Sequence, residues 1–296
     1  MVRIPSVGEM MMEEKKLSGK VAVITGGARG LGRGYALRLA GLGADIAIVD
    51  RNLKAADVYE YEKKRMTAPT VTEECIALGV RAMGIEADLT DRDVTEKTIA
   101  EVNEKMGRID IAVCNAGGGT FAFADERESG GGGSGDGKGG ESGDLNTTGT
   151  PANCAQEMLT RVLDNNLMTC MYTCMAVAPY MKNQKSGKIV TVSSTAGIAA
   201  GAGYHPYGTA KAAIIHYTRA LAQELGPYNI NVNCIAPGII RTGRLGDRSH
   251  LAKYIALRRE GTIEECAKVV EFLVTDLSDY VTGKTITIDG GQCDHR

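Results

Sequence analysis

The sequence predicts an α/β domain built on one doubly wound parallel sheet of seven strands. Short continuous apolar runs, rather than alternating ones, recur along the chain, as expected for strands buried on both faces. Stretches with helical spacing separate these runs, which implies helical crossovers between parallel strands. Most of the runs also end on a polar or special residue: a glycine turn, Asp50, Asp88, Asn115, Ser194 or Pro237. In such a sheet, ligands gather at the carboxyl ends of the strands near the point where strand order reverses, so these ends mark the candidate site.

The first run, Val21-Ala-Val-Ile-Thr25, leads into the turn Gly26-Gly-Ala-Arg-Gly-Leu-Gly32 and a helix patterned on Tyr35, Ala36, Leu39 and Ala40. Ala44 to Val49 is the second strand and ends in Asp50. Arg51 to Pro69 is longer and more polar than a simple turn, and a helix follows around Val71 to Leu78. Ala82 to Ala87 is the third strand and Val94 to Met106 the next helix. The fourth strand, Ile109 to Val113, closes on Asn115-Ala-Gly117.

Composition then changes abruptly: nine of the fourteen residues from Gly130 to Gly143 are glycine. Such a stretch buries too little apolar surface to offset its ordering entropy. Residues 124–153 are therefore expected as a flexible surface insertion leaving the carboxyl edge of the sheet, where it either hangs in solvent, the better reading, or covers the mouth of the candidate site. They do not mark a domain boundary, because the alternation resumes without a new start. It resumes with a helix from Ala155 through Tyr180, a fifth strand at Lys188 to Val192, a helix from near Pro206 and a sixth strand at Ile230 to Ile235. A helix from Thr262 to Thr275 and a seventh strand, Lys284 to Ile288, complete the chain. The expected organisation is an extension over residues 1–16 and one domain over 17–293.

At 296 residues with 43% hydrophobic content, the chain affords a sizeable core. A formal net charge of −2 gives no electrostatic reason to expect nucleic acid or an anionic membrane, which leaves small molecules as partners. Eight cysteines without a C-x-x-C pair suggest reduced thiols in a cytoplasmic protein, not a zinc ribbon or disulfide framework. Cys170 and Cys174 share a helical face, but neither His nor a carboxylate accompanies them, so they are expected to pack and no metal is expected. No basic start with an apolar stretch behind it marks a signal peptide, and no apolar run is long enough to span a membrane.

Two stretches carry chemistry. Gly26, Gly30 and Gly32 follow a buried strand and open a helix, where unpaired N–H groups and the dipole favour a pyrophosphate. Asp50 lies eighteen residues beyond Gly32, close to the roughly twenty expected of a carboxylate that accepts from ribose hydroxyls. It would repel a 2′-phosphate and so favours NAD over NADP, although Arg29 and Arg51 nearby offer cations for that phosphate. Tyr207 and Lys211 lie four apart at the start of a helix and share a face. A phenol titrates near pH 10, and an adjacent ammonium favours its ionised form, so the pair is a candidate acid/base device. Taken alone, the same spacing suits a solvated lysine beside a half-buried tyrosine.

Thr25 to Gly32, Asn115-Ala-Gly117, Ser194, Tyr207-x-x-x-Lys211, Pro237-Gly238 with Thr242, and the ending Thr282 to Gly291 resemble, in order, the short-chain dehydrogenase/reductase family. The glycine run is similar to that of bacterial NAD-linked hydroxysteroid dehydrogenases. The resemblance implies a Rossmann-type fold, a homotetramer, and an oxidoreductase that moves hydride between a nicotinamide and a secondary alcohol or ketone. It implies that Ser194 hydrogen-bonds the substrate oxygen, Tyr207 passes the proton, and Lys211 holds the nicotinamide ribose. Asn166 supports a proton relay, with Asn165 one position away. It further implies cofactor contacts at Gly26, Arg29, Gly30, Leu31, Gly32, Asp50, Asp88, Leu89, Asn115, Ala116, Gly117, Tyr207, Lys211, Pro237, Gly238, Ile240 and Thr242. His205 could face substrate or simply occupy a turn, and His216 is expected to be structural.

Three features depart from the family pattern. Asn115 and Asn166 stand 51 residues apart, the connection after the second strand is long, and the stretch from Thr242 to Arg259 is short and rich in Arg. Leu245, Leu251, Tyr254, Ile255 and Leu257 in that stretch offer apolar contact to a substrate. A hydroxysteroid or other alicyclic alcohol is the expected substrate. The alternatives are an NADPH-dependent ketoreductase of ketoacyl thioesters and a non-catalytic nucleotide sensor.

Overall fold

The computed structural model describes residues 15–118, 151–200, 205–244 and 246–293. Most of the N-terminal extension, the Gly-rich stretch and Leu245 lie outside the described residues. Strands β1 (Val21–Thr25), β2 (Asp45–Asp50), β3 (Ala82–Glu86), β4 (Ile111–Cys114), β5 (Gly187–Val192), β6 (Ile230–Pro237) and β7 (Thr285–Ile288) form a single sheet. Their order is β3-β2-β1-β4-β5-β6-β7, and every pairing is parallel. The order reverses between β1 and β4, so a crevice opens beyond their carboxyl ends.

The helices are α1 (Gly30–Gly41), α2 (Glu60–Lys63), α3 (Val71–Ala77), α4 (Arg92–Met106), α5 (Gln156–Leu163), α6 (Thr169–Gln184), α7 (Tyr207–Leu225) and α8 (Ile263–Val274). Alternate β1 residues divide between two cores. Val21 and Val23 pack with Ile99 and Val102 of α4, Val177 of α6 and Ile214 of α7. Ala22 and Ile24 pack with Tyr35 and Leu39 of α1, Cys75 of α3 and Val270 of α8. Burying an Ile or Leu of this kind contributes about 1.5–3 kcal/mol, so the apolar runs that announce the strands also hold both helical layers in place.

Local chemistry sets the helix ends. Asp91 caps α4 by accepting from Val94 N–H at 3.0 Å, and Gly107 ends it in the left-handed region. Thr262 and Glu265 form a reciprocal capping box at α8. Helix α1 differs: its N-cap Arg29 makes no side-chain cap hydrogen bond, and its first turn holds no acidic residue. Its leading N–H groups are left facing the crevice.

The structure differs from expectation in a few places. β4 begins at Ile111 rather than Ile109, because both the N–H and the carbonyl of Ile109 are taken by the Gln184 side chain. β6 runs on to Pro237, which pairs with Ile288. The single helix expected from Ala155 to Tyr180 is broken into α5 and α6 by a π turn over Asp164–Met168. There the amides of Asn165 and Asn166 donate to the carbonyls of Arg161 and Val162, at 2.9 and 3.0 Å, and so compete with the regular backbone ladder. The connection after β2, unassigned from sequence, contains a short 3₁₀ turn (Ala55–Val58) and α2. Among the described residues, no helix is long and apolar enough to cross a membrane.

Candidate active site

The crevice at the carboxyl edge has two compartments, of about 430 and 530 Å³, which is within the usual range for small-molecule sites. The first contains Ser194, Tyr207 and Lys211, together with Gly30, Leu31, Pro237, Gly238, Ile240 and Thr242. The second contains Asp50, Asp88, Leu89 and Ala116, along with Arg51 and Tyr59. Gly26, Arg29, Asn115 and Gly117 border both. The structure thus brings all but two of the expected site residues to one crevice. The two exceptions, Gly32 and Asn166, sit behind its wall.

Gly32 is needed for space. A Cβ on it would collide with the Gly26 carbonyl and meet Asn115 Nδ2 at 2.8 Å. Gly26 itself has φ 62°, and a Cβ there would stand 2.8 Å from Ala116 Cα. Asn115 fastens this turn to β4, since its Nδ2 donates to the carbonyls of Thr25 and Gly26 at 3.2 and 2.9 Å. The backbone at the start of α1 can therefore come close to an anion.

Asp50 takes part in the same turn by accepting from Ala28 N–H at 3.1 Å, and it also borders the second compartment. Burial pushes its carboxyl up from the ordinary range, while the Ala28 and Asn52 N–H donors pull it back. Asp88 accepts from both the N–H and the hydroxyl of Thr90, at 3.0 and 2.8 Å, in a tight turn after β3. The Arg29 guanidinium lies 4.3 Å from the Tyr59 ring centroid and 3.8 Å from Glu62, and its charge also draws the Asp50 carboxyl down.

In the first compartment Lys211 is buried, and its ammonium donates to the Val192 carbonyl at 2.9 Å. The same nitrogen lies 5.5 Å from the Tyr207 ring centroid, so the four-residue spacing does bring cation and phenol together. Ser193 Oγ donates to the Lys211 carbonyl at 2.7 Å and fixes α7 against the end of β5. Ser194 Oγ accepts from Ala196 N–H at 3.2 Å and lies 3.5 Å from the Pro237 carbonyl. Its hydroxyl therefore caps a turn while facing the compartment.

Asn166 is fully buried. Its Nδ2 donates to the carbonyls of Gly118 and Val162, at 2.9 and 3.0 Å, and its Oδ1 accepts from Gly118 N–H at 3.0 Å. The side chain is thus occupied in clamping the loop after β4 to the π turn. Asn165, not Asn166, borders the second compartment. His205 Nδ1 lies 3.2 Å from Thr209 Oγ1, across the first turn of α7.

Of the apolar residues expected near substrate, Leu251 and Tyr254 border the first compartment. Ile255 instead turns into the core, and Leu257 is exposed. Cys170 and Cys174 are joined by Cys114, with all three sulfurs within 4.8 Å of one another and buried. The third thiol comes from β4, which sequence spacing does not reveal. Sequence reasoning also missed Glu62 and Arg244. Glu62 is buried and accepts from Gly243 N–H at 3.0 Å, in contact with the crevice. Nothing in the polar run around α2 marks one glutamate as an inward-facing one.

The fit to a nicotinamide dinucleotide can be tested on these features. An uncapped helix start sits under a glycine turn with no room for a side chain at Gly26 or Gly32, a carboxylate stands at the end of β2, and a buried ammonium stands at the far end. Together they suit a diphosphate flanked by two riboses, so Gly26, Gly30, Leu31, Asp50, Tyr207 and Lys211 would hold such a group.

Comparison with known proteins agrees. A family profile described as "short chain dehydrogenase" matches residues 20–130, and a second, described as "Enoyl-(Acyl carrier protein) reductase", matches residues 142–292. The chain is 44% identical to a cyclohexanol dehydrogenase of Rhodococcus sp. (strain TK6) over 290 residues, which cover 95% of this chain and 98% of the relative. It is 30% identical to a 3-oxoacyl-[acyl-carrier-protein] reductase of Synechocystis sp. over 278 residues, which cover 93% of this chain and 97% of that protein. Among solved structures, NAD+-bound xylitol dehydrogenase superposes with a TM-score of 0.75 at 28% identity, covering 93% of this chain and 100% of that one. The chain belongs to the short-chain dehydrogenase/reductase family of oxidoreductases.

Proposed function

We propose that the protein interconverts a secondary alcohol and a ketone with NAD(H), and that its substrate is an alicyclic alcohol. The observation that carries this reading is the meeting of Ser194, Tyr207 and Lys211 in a compartment continuous with the glycine turn. When bound, the nicotinamide would donate or accept the hydride. Tyr207 gives its hydroxyl proton to the carbonyl oxygen in reduction and takes the alcohol proton in oxidation. Ser194 donates a hydrogen bond to the same oxygen and so fixes its position. Lys211 spends one N–H on Val192 and keeps two further donors for a ribose and for the neighbourhood of the phenol. Asn166 acts through the Gly118 loop that it clamps, and a part for it in proton relay belongs to the same proposal.

The choice of NAD is supported by the Asp50 carboxylate, which borders the second compartment and would repel a 2′-phosphate on a ribose bound there, and by the contacts of Arg29 with Tyr59 and Glu62. The competing reading, an NADPH-dependent reductase of ketoacyl thioesters, asks for a cation at that point, which Arg51 in the same compartment offers and the Asp50 carboxylate opposes. A non-catalytic nucleotide sensor would have no use for Ser194, Tyr207 and Lys211 together. The ring-alcohol class draws on the relative named for cyclohexanol and includes hydroxysteroids. Assembly as a homotetramer rests on the family resemblance. The test is a panel of cyclic and open-chain secondary alcohols, each offered with NAD and with NADP and followed by the absorbance of the reduced cofactor. Turnover of cyclic alcohols with NAD is expected. Turnover confined to ketoacyl thioesters with NADPH would reject the proposal.

A further inference from the structure

The two compartments of the crevice meet at a waist. The residues common to both are Gly26, Arg29, Asn115, Gly117, Gly118 and Arg244. A dinucleotide has the same shape, two nucleoside halves joined by a diphosphate, so with one half in each compartment the diphosphate must pass through the waist. Four of the shared residues belong to the sheet edge, at the ends of β1 and β4 or just beyond them. The other two are guanidiniums: Arg29, from the glycine turn, and Arg244, from the segment after β6.

Arg244 comes from a segment held in place by two ties. Arg241 N–H donates to the Gly261 carbonyl at 2.9 Å, and Gly243 N–H donates to Glu62 at 3.0 Å. Among the described residues Arg244 itself makes no hydrogen bond or ion pair. Glu62 lies 3.8 Å from Arg29 and offsets one of the two positive charges, which leaves the waist net positive. Burial, and after it the neighbouring Arg29 charge, pushes the Arg244 guanidinium below its ordinary range. Among the described residues Glu62 is the one carboxylate whose charge reaches Arg244, and it is shared with Arg29, so the pair of half-buried guanidiniums is one counter-charge short. Planar guanidiniums pair with phosphate oxygens through parallel N–H bonds, which a dinucleotide diphosphate can accept from both sides.

We infer that Arg244 is a diphosphate-binding residue which closes, opposite Arg29 and the start of α1, over the link between the two halves of the dinucleotide. This rests on the reading of the crevice as a nicotinamide-dinucleotide site. It goes beyond that reading by assigning a contact from the substrate-side segment to the cofactor rather than to substrate.

The test uses the full chain and measures equilibrium dissociation constants for NADH, ADP-ribose and adenosine in wild type, Arg244→Gln and Arg244→Lys, with circular dichroism to confirm folding. Loss of a charge-assisted phosphate contact should weaken NADH and ADP-ribose in Arg244→Gln roughly tenfold to a hundredfold. Adenosine, which has no phosphate, should bind equally to both proteins. Arg244→Lys should restore only part of the loss, because an ammonium cannot make the forked contact. Wild-type affinity for NADH and ADP-ribose in Arg244→Gln would overturn the assignment and leave the cofactor site standing. So would unchanged cofactor binding accompanied by a raised KM for the alcohol, which would place the guanidinium on substrate. Failure of the wild-type chain to bind either NADH or NADPH would remove the cofactor reading itself, and this inference with it.

Discussion

Glu62 accepts the Gly243 N–H at 3.0 Å although 181 residues separate them in sequence. The contact ties the connection after β2 to the segment after β6 above the glycine turn. Replacing Glu62 by Ala leaves that N–H without its acceptor and Arg29 without its carboxylate. The expected loss is about 1–3 kcal/mol of stability, read by denaturant unfolding. Faster hydrogen exchange at the Gly243 amide should accompany it, and an unchanged exchange rate would argue that the tie does not hold the segment.

Tyr207→Phe removes the only oxygen through which the proposed proton passes. Turnover should fall by roughly 10²–10⁴, while the dissociation constant for NADH changes little. Rates within a few fold of wild type would end the acid/base assignment.

Asp50 has two consequences to separate. Asp50→Ala should narrow the ratio of NAD to NADP affinity, because a carboxylate no longer opposes the 2′-phosphate. The pH dependence follows from the raised carboxyl. Burial makes protonation of Asp50 easier, and only the ionised form is a full acceptor for ribose hydroxyls. NAD+ affinity should therefore decline as pH falls and should begin to do so above the ordinary carboxylate range. Asp50→Asn should flatten that decline, measured by calorimetric titration across mildly acid pH.

Glu265 supplies a stability test far from the crevice. The Arg259 guanidinium, and then the Thr262 N–H, hold its carboxyl down at about 2, against an unperturbed value of 4.5. A depressed carboxylate stabilises the fold fully above its unfolded pKa, and this contribution fades as pH drops from about 4.5 to about 2. Glu265 is partly exposed, with 36% of its side chain accessible, so solvent screening keeps the effect to about 0.5–1 kcal/mol. Glu265→Gln should lower the unfolding free energy by that amount at neutral pH and by nothing once the pH is well below about 2. Thr262→Ala should cost about 1 kcal/mol through the lost cap.

Gly32→Ala drives a methyl group into the Gly26 carbonyl. Overpacking of this kind costs about 1–3 kcal/mol or more, and it should also push the turn out of register with Asn115. Weaker NADH binding and a lower melting temperature are expected together. Retention of both would show that the turn can move aside.

Much of the fold was legible because strand burial and helix amphipathicity are local patterns. The runs ending in Asp50, Asn115 and Ser194 mark their strands and, by the strand-end rule, the crevice as well. Spacing suggested Tyr207 and Lys211, since residues four apart on a helix share a face, but it took the strand ends and Ser194 around them to single the pair out. What stayed hidden depends on contacts that spacing does not encode. The inward turn of Glu62, the place of Arg244 at the waist and the third thiol, Cys114, each require knowing which distant segment lies opposite. The π turn was hidden for a different reason: it depends on two asparagine amides winning carbonyls from the backbone.

That turn also constrains how the chain can change. An α-helix advances about 100° per residue, so the π turn sets the rotational phase of α5 relative to α6. A helix one residue shorter would keep the phase of α5, but the same five residues wound as regular α-helix would rotate it by roughly that angle. Val162, now fully buried, would swing away from the core, and the carbonyls that receive the Asn165 and Asn166 amides would turn with it. Asn165 and Asn166 are the positions where substitution tells, because their amides take carbonyls from the backbone ladder and so hold the π turn. The way these five residues are wound sets which face of α5 meets the core.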